Sequence, residues 1–461
     1  MSYVSHDSVA SNLHQQVHHL EAILAAAASS TGYKKIGHCE IRQCLRQIQA
    51  CLFRKEGERL YEGGTDLKVT SDLMALLTLQ YEYDDPMTAE MMNILIPRAA
   101  ELISCYGGEL TSEQLHLLLC RCMHFIQEPQ QTPSFLNSLL TVLNQHLPSS
   151  RLPEVLGDDD QGFFIALESI LKWYQEATNE YATYVSLQVL TLSLLEHLVN
   201  HILPNQDQTF PKWLQTQLMK HRSFSSFDVL ESDAHDMIEQ IEKFGVDLVE
   251  NSLHLLERGV SSDGDSIFGA LKQSTAATTF VTMCLSNEEF SSHFLMSSFS
   301  GMAKSLWQSL GSFVASQMEN YSESIPQQMQ VGATEALRNL TLAVTTNSSM
   351  VLDENSSSLI VFTVLRLLQY PEVFWTPQVQ EWLIDQLSSS PYSRSLCHAL
   401  QGTIVSQLSY HSAESQNGHI TSFIELVMRH CGIDEEGSDD PWQSLVSDYL
   451  SDHLMVLNEA T

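Results

Sequence analysis

The sequence predicts an all-α fold, an irregular α-solenoid of stacked helical hairpins. Three observations predict it. Apolar residues recur at helical spacing along most of the chain. Helix-start signals precede the apolar runs, and the C-terminal half repeats its own pattern.

The elements follow in order. Apolar periodicity predicts helices over 13–28, 40–54, 71–81 and 87–106, with Pro97 expected to kink or break the last of these. Thr111-x-x-Gln114 reads as a capping box opening a helix over 112–126. Thr132-Pro133, Thr376-Pro377 and Ser390-Pro391 each place an N-cap residue before a proline whose missing N–H costs nothing in a first turn. The first of them opens a helix over 134–146. The run 162–202 is too long for one ordinary helix and should break near Asn179. Helices are then expected over 233–258 and most of 266–457. Near the C-terminus, Asp440 and Pro441 form a start signal for one apolar stripe of Trp442, Leu445, Val446, Tyr449, Leu450 and Leu454. Val, Ile and Thr cluster at 360–364, but the run lacks the alternation of a strand.

Loops separate these helices into regions. Residues 1–10 are expected to be a disordered N-terminus. An N-terminal helical domain, HEAT-like or irregular, should cover 11–203, with a connector at 204–232 and a helical repeat domain at 233–461. The acidic stretches 157–162, 261–266 and 434–440 read as solvated loops.

In the C-terminal half, an apolar helix rich in small residues is followed by a polar junction and a second Leu-rich helix. One copy opens at Ala276, passes through Ser286-Asn287, and continues from Met302. A second opens at Ala333, passes through Asn347, and continues from Leu359. A looser third opens at Leu396 and continues from Phe423. The second helices start roughly 57–64 residues apart. Such hairpins cannot bury their apolar faces alone and must stack.

Ala333-x-x-Ala336-Leu337-x-Asn339-Leu340 resembles the last helix of an armadillo repeat, and Asn347 with its Leu-rich run resembles the start of the next one. The resemblance covers about 262–461. It implies an armadillo-like C-terminal half whose helix-borne Asn339 lines a concave groove and bonds a partner's extended backbone. The matching positions of the other copies hold Thr282 and Gly402, so no asparagine ladder is expected.

Composition limits the function. The 461 residues carry 23 Lys+Arg against 56 Asp+Glu, a net charge of −33. That excess of acid argues against direct nucleic-acid binding, which needs clustered cations. With 43% apolar residues the chain is neither collagen-like nor mostly disordered. Nine cysteines, several inside apolar helical runs, read as reduced thiols. No apolar run of transmembrane length occurs, and the N-terminus lacks a basic segment followed by an apolar one. A cytoplasmic or nuclear protein, not a secreted one, is expected.

The candidate chemical groupings have plainer readings. Cys120, Cys122 and His124 would be split by a helix, with Cys122 pointing away from the other two. His38, Cys39, Glu40 and Cys44 form a weaker set. His14 and His18 stand at i, i+4 with His19 and Glu21 close by; without further ligands they read as solvated helix surface. Ser232-Asp233-x-His235-Asp236 holds the residue types of a triad but reads as a helix start. The expectation is therefore no catalytic residue, no cofactor and no metal. Asn339 and Arg338 are the expected groove residues, and Phe374 and Trp375 the expected aromatic anchors between Pro371 and Pro377.

The function expected is a non-catalytic scaffold or adaptor subunit of a multiprotein complex. Its partners would be one or more proteins offering a basic or extended segment, with no nucleic acid and no membrane insertion. The alternatives are an all-α enzyme with a His/Cys/Asp site drawn from distant helices, and a helical regulator of a GTPase or kinase.

Overall fold

The computed structural model describes residues 6–28, 38–53, 60, 67–79, 86–127, 133–156, 160–176, 181–205, 209–222, 227–259, 264–287, 290, 297–318, 325–347, 350, 352–353, 355–368, 376–389, 393–410, 423 and 426–427. The regular elements among the described residues are all helices, and no strand occurs among them. The chain divides into two compact units, Met1–Ile241 and Glu242–Thr461.

In the first unit the helices are α1 (His6–Ala28), α2 (His38–Phe53), α3 (Leu67–Thr78), α4 (Pro86–Tyr106), α5 (Ser112–Ile126), α6 (Leu136–His146), α7 (Leu152–Leu156), α8 (Asp160–Glu176), α9 (Tyr181–His197) and α10 (Phe210–His221). Helix α11 (Phe227–Gly259) crosses the division. The second unit continues with α12 (Gly264–Ser286), α13 (Ser297–Phe313), α14 (Gln327–Thr346), α15 (Asn355–Leu368), α16 (Pro377–Ser389) and α17 (Ser393–Tyr410).

Local rules account for three of the boundaries. Helix α5 begins at its capping box: the Gln114 N–H donates to Thr111 Oγ1 at 3.2 Å, and the Thr111 N–H donates to Gln114 Oε1 at 3.0 Å. Helix α4 stops at Gly107-Gly108, where Gly108 takes a φ of 65° that favours glycine. Helix α16 follows Thr376, whose hydroxyl accepts from the Val379 N–H at 3.3 Å.

Several expectations are corrected. Pro97 does not break helix α4, which continues past it to Tyr106. The carbonyl that Pro97 cannot serve belongs to Asn93, an exposed residue, so water can take the missing donor's place. Helix α1 starts at His6, inside the stretch expected to lack structure. The expected connector 204–232 holds α10, whose Trp213 packs edge-on to Phe163 and Phe164 of α8 with ring centres 6.1 and 6.3 Å away. The long run 162–202 does break, with α8 ending at Glu176 and α9 starting at Tyr181. The start signals Ser390-Pro391 and Asp440-Pro441 lie outside the described residues.

In the second unit, α14 is the central element. Its buried stripe of Ala333, Ala336, Leu337, Leu340 and Val344 meets α12, α13 and α15. The Asn347 side chain donates from Nδ2 to the Leu285 carbonyl at 3.2 Å, so α12 and α14 lie side by side with their C-terminal ends together. Trp307 of α13 donates from Nε1 to Thr341 Oγ1 at 2.9 Å, and Trp382 of α16 donates to Thr345 Oγ1 at 2.6 Å. Both hydroxyls also bond backward along α14, to the carbonyls of Leu337 and Thr341, so the buried Thr341 is fully served.

Candidate functional site

Among the described residues, two places bear on the expected sites. The first is the expected groove position on α14. Arg338 and Asn339 are both half-buried there. The guanidinium donates to Asn339 Oδ1 from Nε at 3.1 Å and from the second terminal nitrogen at 2.9 Å. It also lies 3.6 Å from Glu335 Oε1 one turn back. A guanidinium only donates, so the amide oxygen must be the atom facing it. Asn339 Nδ2 then points to the other side of the carboxamide. Phe374 and Trp375 lie outside the described residues. Thr282, the counterpart of Asn339 in the first copy, is half-buried on α12, and Gly402 is exposed on α17.

The second place joins α1 to α3. The apolar stripe of α1 is Val9, Leu13, Val17 and Leu20, all buried. His14 and His18 stand one turn apart beside that stripe, with ring centres 4.3 Å apart and edges meeting faces. Helix α3 packs on α1 through its own stripe, Val69, Asp72, Leu73 and Leu76. Asp72 thus occupies a position where the helical period calls for an apolar side chain. Its side chain is 6% exposed, against 34% for His14. Asp72 Oδ1 lies 2.8 Å from His14 Nδ1, while its buried Oδ2 has no hydrogen-bond partner. On the other imidazole, His18 Nδ1 lies 2.9 Å from Glu21 Oε2. One donor atom each from His14, His18 and Asp72 falls within 4.8 Å of the others, the one such group among the described residues. The sequence reading placed His14 and His18 on solvated helix surface; the structure instead pairs His14 with a buried carboxylate 58 residues away.

The remaining sequence candidates do not assemble. Cys120 and His124 are exposed while Cys122 is buried, as the helical split requires. The nearest ring to the Cys120 sulfur is His116, whose Nε2 lies 3.5 Å away. Burial pushes the Cys120 and Cys122 thiols up, away from the thiolate form that nucleophiles and metals need. Cys39 is exposed and Cys44 buried. Ser232 and Asp233 do not cap a helix, because α11 starts at Phe227. Asp233 is paired with Arg222, which also bonds Glu168 Oε1 at 2.6 Å, and His235 lies 3.3 Å from Glu239. The acidic run at 157–159 and Asp263 lie outside the described residues.

No described helix is long and apolar enough to cross a membrane. Comparison with protein-family models, curated proteins and solved structures gives no match.

Proposed function

We propose that this chain is a non-catalytic scaffold or adaptor, and that its second unit is an irregular, armadillo-like solenoid offering a helical-repeat surface to partner proteins. The observation that carries the reading is the pairing of α12 with α14. These helices open the first two sequence copies, and the bond from Asn347 to the Leu285 carbonyl brings their ends together. Stacked repeats bury equivalent helices against one another in this way. Arg338 and Asn339 sit half-buried on the second of those helices, with an amide donor oriented for a backbone carbonyl. A net charge of −33 favours a basic partner segment and disfavours nucleic acid and anionic membranes.

The test compares tagged full-length protein with an Arg338→Glu/Asn339→Ala variant, both purified from the native source. Wild type is expected to retain stoichiometric protein partners that the folded variant loses. Identical partners on both proteins would remove the groove assignment. Recovery of turnover of a small molecule dependent on the chain would remove the scaffold reading.

A further inference from the structure

We propose that His14, His18 and Asp72 form a binding site for a first-row divalent metal ion, with zinc the best-matched ion, clamping α1 to α3. Three independent features meet at this point. Two imidazoles project from one face of α1 at i, i+4, a spacing that lets both reach one ion. A carboxylate enters from a different helix, at a stripe position that packing alone would give to Leu or Val. And that carboxylate is 6% exposed with Oδ2 lacking a hydrogen-bond partner, a costly arrangement that a cation relieves.

The donor chemistry selects the ion. Two imidazole nitrogens and one carboxylate oxygen suit zinc and its neighbours, whereas calcium and magnesium favour all-oxygen shells. Zinc bonds of about 2.0–2.1 Å place tetrahedral donors roughly 3.3 Å apart. The present donors lie within 4.8 Å, so side-chain rotations of about an ångström complete the set. His14 Nδ1 and Asp72 Oδ1, at 2.8 Å, share a proton that the ion replaces. Glu21, at 2.9 Å from His18 Nδ1, holds that ring by its carboxylate and fixes which nitrogen carries the proton. Three protein ligands leave one coordination position for water, on the side where His18 is exposed. The alternative is a plain His14–Asp72 hydrogen bond joining the helices. It accounts for Oδ1 but leaves the buried Oδ2 without a partner.

The experiment titrates reduced, metal-free full-length protein with zinc against a chromophoric chelator, and separately with cobalt(II) followed by visible absorption. Wild type should bind one ion at this site and show tetrahedral ligand-field bands without thiolate charge-transfer absorption. His18→Ala, at an exposed position, and Asp72→Asn, which preserves shape, should each weaken that binding by at least the about 10–100-fold seen for loss of outer-shell partners. Should Asp72→Asn fail to fold by circular dichroism, His14→Gln takes its place. The wild type should also gain thermal stability on adding zinc, and the variants should not. Absence of binding in wild type, a cobalt spectrum dominated by thiolate, or unchanged affinity in either folded variant would each overturn the site.

Discussion

The two units tie their helices together by different means. In the first, long side chains reach across to backbone oxygens. Arg151 donates to the Leu110 carbonyl at 2.9 Å, Arg98 to Leu52 at 3.3 Å, Asn144 to Ser186 at 2.7 Å and Gln145 to Ser104 at 2.9 Å. His116 Nδ1 lies 2.6 Å from the Val155 carbonyl. In the second, one such tie recurs, from Asn347 to the Leu285 carbonyl, but the fully buried ties are made by hydroxyls and an indole: Trp307 to Thr341, Thr341 with Thr363 at 3.4 Å, and Ser252 to Ser274 at 3.2 Å. Large side chains there also pack directly onto glycine backbone. A Cβ on Gly245 would stand 2.0 Å from the Phe280 ring, and one on Gly311 would stand 2.2 Å from Leu359. Long polar ties serve helix ends and tolerate spacing. Hydroxyl ties reach only a short way, and together with the Phe280 and Leu359 contacts they leave the second unit little room for added volume.

The largest expected effect separates the two kinds of tie. Trp307→Ala should cost about 3–5 kcal/mol, because it opens a cavity and strips Thr341 of a donor. Arg151→Met, on a multidentate tie in the first unit, should cost only about 1–2 kcal/mol, since carbonyls at helix ends and in loops can turn to water. Hydrogen exchange resolved by peptide reads α12–α15 separately from α4–α7, and equal losses would erase the distinction. Next in size, Gly245→Ala should destabilise by roughly 1–3 kcal/mol, because the fully buried Phe280 ring cannot yield. Gly301→Ala, on a helix face with nothing within 4 Å of the new Cβ, should instead stabilise by about 0.4–1 kcal/mol. Denaturant midpoints of the two variants should therefore move in opposite directions.

The smallest effect sharpens the picture of the first unit. Burial, with Arg151 adding repulsion, holds the His146 imidazole below its usual value. The unfolded chain then takes up this proton first as pH falls. Stability contributed by neutral His146 is complete above about pH 6.5. It declines as pH drops through the unfolded imidazole's range toward the lower folded value. His146→Gln should flatten that part of a stability-against-pH curve; an unaltered slope would show that other groups set it.

Much of the fold was legible because helical signals are local. Thr111 and Gln114 announce a capping box that forms, and 112–126 is the helix it opens. The repeat-like spacing around Ala276 and Ala333 falls on helices that do pack together. Failures came where tertiary context overrides a local rule. Pro97 does not break its helix, the unserved carbonyl belonging to the exposed Asn93, and Ser232-Asp233 yields to a helix already under way from Phe227. At the metal-ligand candidates, His14 and His18 were visible as a pair, but their partner was not. Its signal was present nonetheless: Asp72 interrupts the stripe Val69, Leu73, Leu76. A charge at an apolar position is worth following even when no nearby motif explains it. The orientation of Asn339 by Arg338 was not readable either, since neighbours in sequence point apart on a helix unless a long side chain folds back.

The scaffold reading is tested most directly by hydrogen exchange of the full chain alone and with a protein recovered in complex with it from the native source. Protection should concentrate on α14 around Glu335, Arg338 and Asn339, and should fade as salt screens the acidic surface. A footprint confined to the first unit, or none on α14, would contradict it.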